Sequence, residues 1–141
     1  MLATNRVQTH NTSKSEIDAL CGAVARNLRN AAIDALSVDN RFGLAYEAAL
    51  LTAKMAIACA GYRVKGQGAH QTTFVALQLV LGPLAKNTAS YFDRCRRKRN
   101  EINYDMADVA TDTEAEEILD KTLKLQQTVE SWIATNHPQW A

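Results

Sequence analysis

The sequence predicts an all-α fold, an antiparallel bundle of four long helices plus one shorter helix. Apolar residues recur at helical spacing through several long segments, which is the primary sign of amphipathic helices. Hydrophobic residues make up 47% of the 141 residues but aromatic residues only 6%, and alanine is abundant. Such a composition, with only two prolines, favours helices over strands. A chain of this length is expected to form one domain with a sizeable core.

The helical domain is predicted to span residues 13–141, after a flexible arm over residues 1–12. Ser13-Lys14-Ser15-Glu16 is the pattern of a capping box, in which each side chain bonds the backbone N–H of the other residue. A helix should therefore begin here. Its predicted apolar stripe consists of Ile17, Leu20, Cys21, Val24, Leu28, Ala31 and Ala35.

The second helix is predicted from about Asn40 to Ala60, after a turn with capping residues at Ser37 to Asn40. It is rich in alanine and almost uncharged between Glu47 and Lys54, so we expect it to be buried on more than one side. Gly61 should end it.

The third helix is predicted to begin near His70 and to run through Leu81. Gly82-Pro83 interrupts the pattern, and proline suits the first turn of a helix, so we expect a break and a new helix from Pro83 to about Met106.

The last helix is expected to be capped by Thr111 or Thr113 and to end at His137-Pro138. Acidic residues in its first turns suit the helix dipole and need no functional explanation. Its predicted buried face consists of Ile118, Leu125, Val129 and Trp132.

The sequence argues against several classes of protein. The three cysteines are an odd number without close spacing, which disfavours a disulfide framework and a zinc site. We expect no cofactor and no metal. The N-terminal segment lacks the apolar core of a signal peptide, and no apolar run approaches the roughly 20 residues of a membrane span. The expected location is therefore cytoplasmic, without membrane association.

The predicted fourth helix carries the most distinctive segment of the chain. Five of the six residues from Arg94 to Arg99 are basic, although the net charge of the whole chain is only +1. A helical projection places several polar residues on one face, which we call the basic arc. The basic arc consists of Arg96, Arg97, Arg99, Asn100, Asn103 and Tyr104. An adjoining apolar stripe is predicted from Tyr91, Cys95, Ile102, Met106 and Val109.

Two interpretations of the basic arc remain open. Arginine is suited to bidentate phosphate contacts, and two asparagines would be indifferent helix formers on a purely solvated face. This favours a surface that binds RNA or nucleotide phosphate. Alternatively, the arc is a solvated basic turn near a helix C-terminus, where cations suit the dipole.

The segment Arg97-Lys98-Arg99-Asn100-Glu101-Ile102-Asn103-Tyr104 resembles the signature of the HEPN superfamily, an arginine and a polar residue followed by a histidine on the same helix. The segment from Tyr46 to His70, an alanine-rich helix followed by a glycine loop and a histidine, is also similar to HEPN proteins. The resemblance covers roughly residues 46–105.

The resemblance implies a helical bundle that often forms a homodimer with the motif helices facing each other. Many HEPN proteins are metal-independent endoribonucleases of toxin–antitoxin or other defence systems, and some are encoded beside a nucleotidyltransferase partner. Carried over, Arg99 takes the phosphate-binding arginine position and Asn100 the polar position, while Tyr104 stands where the catalytic histidine would be. The further expected RNA contacts are Arg96, Arg97, Asn103 and His70.

Tyr104 is a departure from the family pattern. A phenol has a pKa of about 10, whereas an imidazole titrates near 6.5, so tyrosine is a poor general base at neutral pH. His70 could supply the missing imidazole if the loop between the second and third helices folds over the basic arc, or it could be a capping residue. A non-catalytic module that pairs with itself or with a nucleotidyltransferase is therefore the alternative function.

Overall fold

The computed structural model describes residues 6–66, 69–104 and 109–141, apart from the side chains of Leu84, Asn103 and Tyr104. It confirms the predicted all-α fold, with four long helices and one shorter helix. The helices are α1 (Lys14–Ala31), α2 (Val38–Cys59), α3 (Ala69–Leu81), α4 (Lys86–Tyr104) and α5 (Asp112–Asn136). The described residues also form two 3-10 turns, Pro83–Ala85 and Pro138–Trp140, and two short strands, β1 (Val7–Thr9) and β2 (Tyr62–Val64).

Helix α2 is the centre of the bundle and packs against each of the other four helices. Thirteen of its 22 residues are buried, among them the fully buried Tyr46, which confirms the prediction of burial on several sides. Its length and mean hydropathy of 1.3 would suit a membrane span, so the expectation that no segment reaches those limits was wrong. Inside the bundle, 72% of the most apolar 18-residue stretch of α2 is buried, as expected for a core helix.

The predicted arm differs from the structure, because β1 pairs antiparallel with β2. Strand β2 follows α2 closely and packs against it, so the pairing ties the N-terminal segment to a strand that contacts the core helix. Residues 1–5 of the predicted arm lie outside the described residues.

The capping box predicted before α1 is only half formed. Ser13 accepts the Glu16 backbone N–H at 3.1 Å as predicted. The Glu16 carboxylate instead accepts from Thr12 Oγ1 at 2.7 Å and contacts His10 Nε2 at 2.9 Å, because β1 brings these residues over the helix N-terminus.

Helix α1 ends at Ala31, and the predicted continuation to Ala35 was wrong. Arg41 Nε donates to the Ala31 carbonyl oxygen at 3.0 Å, so a side chain from α2 occupies the position of the next intrahelical bond. Ala35 is an exposed turn residue.

The break between α3 and α4 is confirmed. Gly82 has a φ of 99°, a conformation that residues with a Cβ rarely adopt, and Pro83 begins a 3-10 turn before α4. Helix α4 therefore begins at Lys86 rather than at Pro83, and its predicted end at Met106 lies outside the described residues.

The chain re-enters the described structure at Val109. The Asp39 carboxylate accepts the backbone N–H groups of Val109 at 3.2 Å and Ala110 at 2.8 Å. Thr111 then forms a complete capping box with Glu114 at the start of α5. The first turn of α2 thus fixes the entry to the last helix, close in sequence to the end of the basic arc.

Candidate functional site

One face of α4 carries buried apolar residues in its first half and arginines of the basic arc in its second half. Ala89 and Phe92 are buried on this face at 6% and 1% exposure, and Arg96 and Arg99 follow at the next helical spacings. Both arginines are consequently half-buried, whereas Arg97 is exposed.

The predicted apolar stripe of α4 is partly wrong. Cys95 is buried and the half-buried Tyr91 and Ile102 pack against the core, as predicted, but Val109 lies beyond the helix. Phe92, which the stripe omitted, is buried at 1% exposure. Met106 lies outside the described residues.

Asp93 organises two arginines of the basic arc. Its carboxylate accepts from Arg96 Nε at 2.9 Å and from Arg97 Nη2 at 3.2 Å, at helical spacings of three and four residues. The two guanidinium groups are therefore held in place and partly neutralised.

Arg99 has a different environment. Among the described side chains, no carboxylate lies within 4.0 Å of its guanidinium group, although the neighbouring Lys98 pairs with Glu114 at 3.0 Å. The Arg99 guanidinium carbon lies 5.9 Å from the centre of the Tyr46 ring, within the range of a cation–π contact. Arg99 thus stands at the edge of the core, with its guanidinium group against the Tyr46 ring.

His70 reaches the same tyrosine from α3. Its Nδ1 lies 3.3 Å from Tyr46 Oη, and the two ring centres are 6.0 Å apart. The helix therefore brings the imidazole to Tyr46, on whose ring Arg99 also lies. His70 and Arg99, predicted from separate segments, are joined by a buried tyrosine.

The electrostatics keep both groups of the Tyr46–His70 pair neutral. Burial and the positive charges of Lys54, Arg99 and Arg96 lower the pKa of His70, with Glu47 opposing them. Burial raises the pKa of Tyr46 far above its usual value, although Arg96 and Arg99 oppose the shift. At neutral pH the pair is a protonated phenol beside an unprotonated imidazole.

The hydrogen bond at Tyr46 decides which imidazole nitrogen can act as a base. If Nδ1–H donates to the Tyr46 oxygen, the Nε2 lone pair is free to accept a proton. If the phenol donates to Nδ1, Nε2 carries the proton of the neutral ring and can only donate. The arrangement is therefore able to present either a base or a donor beside the arginines.

The remaining predicted site residues are less well placed. Asn100 is exposed on the last turns of α4. The backbone of Asn103 and Tyr104 belongs to α4, but their side chains lie outside the described structure, so their predicted roles stay predictions.

Two residues of the site were missed by sequence reasoning, and each left a signal. Tyr46 is the one tyrosine of the mostly apolar helix α2, and a buried hydroxyl usually requires a partner. Asp93 precedes Arg96 and Arg97 by three and four residues, the spacing of helical ion pairs.

The described residues contain no cluster of three or more histidine, cysteine or carboxylate side chains that could hold a metal ion. Cys95 lies beneath the basic arc, but burial raises the pKa of its thiol to about 11, so the thiol is protonated at neutral pH.

Comparison with known proteins identifies the fold family. The family model described as HEPN_SAV_6107-like HEPN matches residues 32–130, which is more than half of the chain and includes α2, α3 and α4. Comparisons with curated proteins and with solved structures gave no significant match. The chain belongs to the HEPN superfamily, and the resemblance proposed from its motif is confirmed.

Proposed function

We propose that this HEPN protein binds RNA through the basic arc and cleaves it without a metal ion, with Arg99 holding phosphate and His70 supplying the imidazole. The observation that carries the proposal is the convergence of Arg99 and His70 on Tyr46. Membership of the HEPN superfamily supports an RNA- or nucleotide-related role.

The charge distribution supports phosphate binding. The half-buried Arg99 guanidinium has five donors in a planar fork that matches a phosphate group, and its contact with Tyr46 limits its freedom before binding. Arg96 and Arg97 lie beside it and add positive potential, with Asp93 restraining their orientation. Asn100 and Asn103 would add neutral donors on the same arc.

The chemistry requires one of the two His70 tautomers. With Nδ1–H donated to Tyr46, His70 Nε2 takes the proton of a ribose 2′-hydroxyl, and the 2′-oxygen attacks the adjacent phosphorus. The P–O5′ bond breaks, the leaving 5′-oxygen takes a proton from water, and the resulting hydroxide takes the proton from His70. The products are a 2′,3′-cyclic phosphate and a 5′-hydroxyl. Arg99 stabilises the charge on the phosphoryl oxygens in the transition state.

A homodimer is the second part of the proposal. On α3, Val75 and Leu79 are 49% and 65% exposed, an unusual position for large apolar side chains. Val75 lines an open cleft of about 320 Å³ together with Arg94 and Arg97, so the apolar surface adjoins the basic arc. A second copy packed on this surface would place two basic arcs side by side along one RNA. A toxin–antitoxin or defence role would follow from such an activity.

RNA binding by purified variants tests the first part. Fluorescence anisotropy with a labelled structured RNA should show that Arg99→Ala raises Kd about tenfold or more, and that binding weakens steeply with salt. Arg29→Ala is the matched control, because Arg29 lies on α1 outside the basic arc. Equal affinity for wild-type protein and Arg99→Ala would overturn the phosphate role of Arg99.

The alternative is a non-catalytic module that pairs with itself or with a nucleotidyltransferase, and the exposed Val75 and Leu79 favour it as a candidate. In that case Val75→Ser with Leu79→Ser should dissociate the complex in sedimentation experiments, while Arg99→Ala leaves RNA handling unchanged. Loss of RNA binding in Arg99→Ala with an intact dimer would instead support the nuclease proposal.

A further inference from the structure

A separate cavity of about 420 Å³ lies between the first half of α4 and the middle of α5. Its floor is made of buried apolar side chains, Ala85, Phe92 and Leu125. Tyr91 and the half-buried Trp132 form its aromatic walls. The volume is within the range of small-molecule sites, and the mostly apolar lining is typical of them.

The polar groups of this cavity lie at its rim. Lys121 and Lys124 project from successive turns of α5, and Asn87, Thr88 and Thr128 add neutral groups. Among the described residues, the lining contains two lysines and no carboxylate residue. The rim is therefore cationic above an apolar floor.

The two lysines are held over the opening in different ways. Lys121 Nζ lies 5.5 Å from the centre of the Tyr91 ring, a cation–π contact that places the ammonium group beside the aromatic wall. Lys124 pairs with Asp120 at 3.0 Å, but both side chains are mostly exposed, and such a pair exchanges readily with a better ligand.

The Tyr91 hydroxyl of the aromatic wall stays protonated, with the Glu117 carboxylate beside it. Burial raises the pKa of Tyr91, and the neighbouring Cys95 and Glu117 raise it further, so the phenol is neutral at neutral pH. Glu117 itself is not among the lining residues.

We propose that this cavity binds a small amphiphilic anion, with an apolar body against Phe92, Leu125 and Trp132 and one anionic head group between Lys121 and Lys124. The site is separate from the proposed RNA surface, because none of Arg96, Arg97, Arg99 and His70 lines it. A simple carboxylate with an alkyl chain has the required chemistry.

Trp132 provides a direct readout of binding. The chain has two tryptophans, so Trp140→Phe leaves Trp132 as the single tryptophan reporter in the cavity. Titration of this variant with decanoate should change Trp132 emission in a saturable way, whereas the neutral analogue 1-decanol should bind about tenfold or more weakly. Absence of saturable binding of decanoate up to about 1 mM would overturn the proposal.

Two further variants test the roles of the rim and the floor. Lys121→Gln with Lys124→Gln should weaken decanoate binding about tenfold and leave 1-decanol unchanged, while the control pair Lys65→Gln with Lys86→Gln, both exposed and outside the cavity, should change neither. Thr128→Phe should fill the opening and abolish binding without disturbing the fold, because Thr128 is exposed. Unchanged decanoate affinity in the variant with both lysines replaced would overturn the claim that these lysines bind the anionic head group. Unchanged affinity in Thr128→Phe would overturn the claim that decanoate binds in this cavity.

Discussion

The two halves of α4 use one helix for opposite purposes. In the first half, Ala89 and Phe92 fill the core, and the neighbouring Tyr91 lines an apolar cavity with lysines at its rim. In the second half, the same face carries Arg96 and Arg99 to the edge of the core, beside Tyr46. The comparison shows that burial, rather than charge alone, distinguishes a candidate site from a solvated basic turn.

An unbroken chain of aromatic contacts joins the two halves. The ring centres of Tyr91 and Phe92 are 5.1 Å apart, and those of the stacked Phe92 and Phe74 are 5.7 Å apart. The ring centres of Phe74 and Tyr46 are 6.0 Å apart. Tyr91 in the cavity wall is thus three ring contacts away from Tyr46, on which Arg99 and His70 converge. Packing in the first half therefore supports the geometry of the second.

Phe92→Ala should produce the largest effect, because it removes the ring that both halves share. Loss of a fully buried phenylalanine side chain should lower the free energy of unfolding by about 3–5 kcal/mol. Urea denaturation checks the value. Ile33→Ala, at a residue that is 44% exposed between α1 and α2, should change it by less than about 0.5 kcal/mol. A small effect of Phe92→Ala would mean that the aromatic chain does not hold the helix.

Tyr46→Phe should affect the arginine half alone. The substitution keeps the ring beneath Arg99 but removes the hydroxyl that contacts His70 Nδ1, and should cost about 1 kcal/mol of stability. If the tautomer of His70 matters, RNA cleavage should fall more than RNA binding does, whereas decanoate binding should not change. An equal loss of RNA cleavage and of decanoate binding would show that the hydroxyl acts on the fold rather than on the site.

The pH dependence of stability should reveal the half-buried imidazole of His70. Because folding lowers the pKa of His70, the neutral ring contributes fully above its unfolded pKa of about 6.5, and that contribution is lost as the pH falls below it. Thermal unfolding between pH 7 and pH 5 should show a smaller decrease in Tm for His70→Gln than for wild type. The two proteins losing stability in parallel would contradict the assignment.

Asp93→Asn and Asp120→Asn form a matched pair with the smallest expected effects. Each removes a carboxylate that pairs with cations, Asp93 in the basic arc and Asp120 at the cavity rim, and each should cost at most about 1 kcal/mol of stability. Asp93→Asn should strengthen RNA binding and steepen its salt dependence, and Asp120→Asn should strengthen decanoate binding only. Binding assays of both ligands with both variants check this. Stronger decanoate binding in Asp93→Asn, or stronger RNA binding in Asp120→Asn, would contradict the separation of the two sites.

Much of the fold could be predicted from the sequence, because the periodicity of apolar residues and the capping residues are local signals. Ser37, Gly82-Pro83 and Thr111 act where they were expected to act. The end of α1 could not be predicted, because it depends on Arg41 of another helix. The pairing of β1 with β2 likewise joins segments more than 50 residues apart.

The candidate site was predictable only in its local part. Arg99 and its neighbours are adjacent in sequence, and the HEPN motif marked them. The contact of His70 with Tyr46 depends on how α3 packs against α2, which no short pattern encodes. The Phe92 face was missed because Tyr91 and Cys95 suggested a stripe turned slightly to one side.

The most direct test of the central claim is cleavage of a labelled structured RNA in EDTA by wild type, Arg99→Ala, His70→Gln and the control His137→Gln. The account predicts cleavage by wild type and by His137→Gln, with losses of about 100-fold or more in the other two. Cleavage by His70→Gln at the wild-type rate would contradict the role of His70. Failure of wild type to cleave, where a HEPN ribonuclease with histidine at the Tyr104 position succeeds, would contradict catalysis itself.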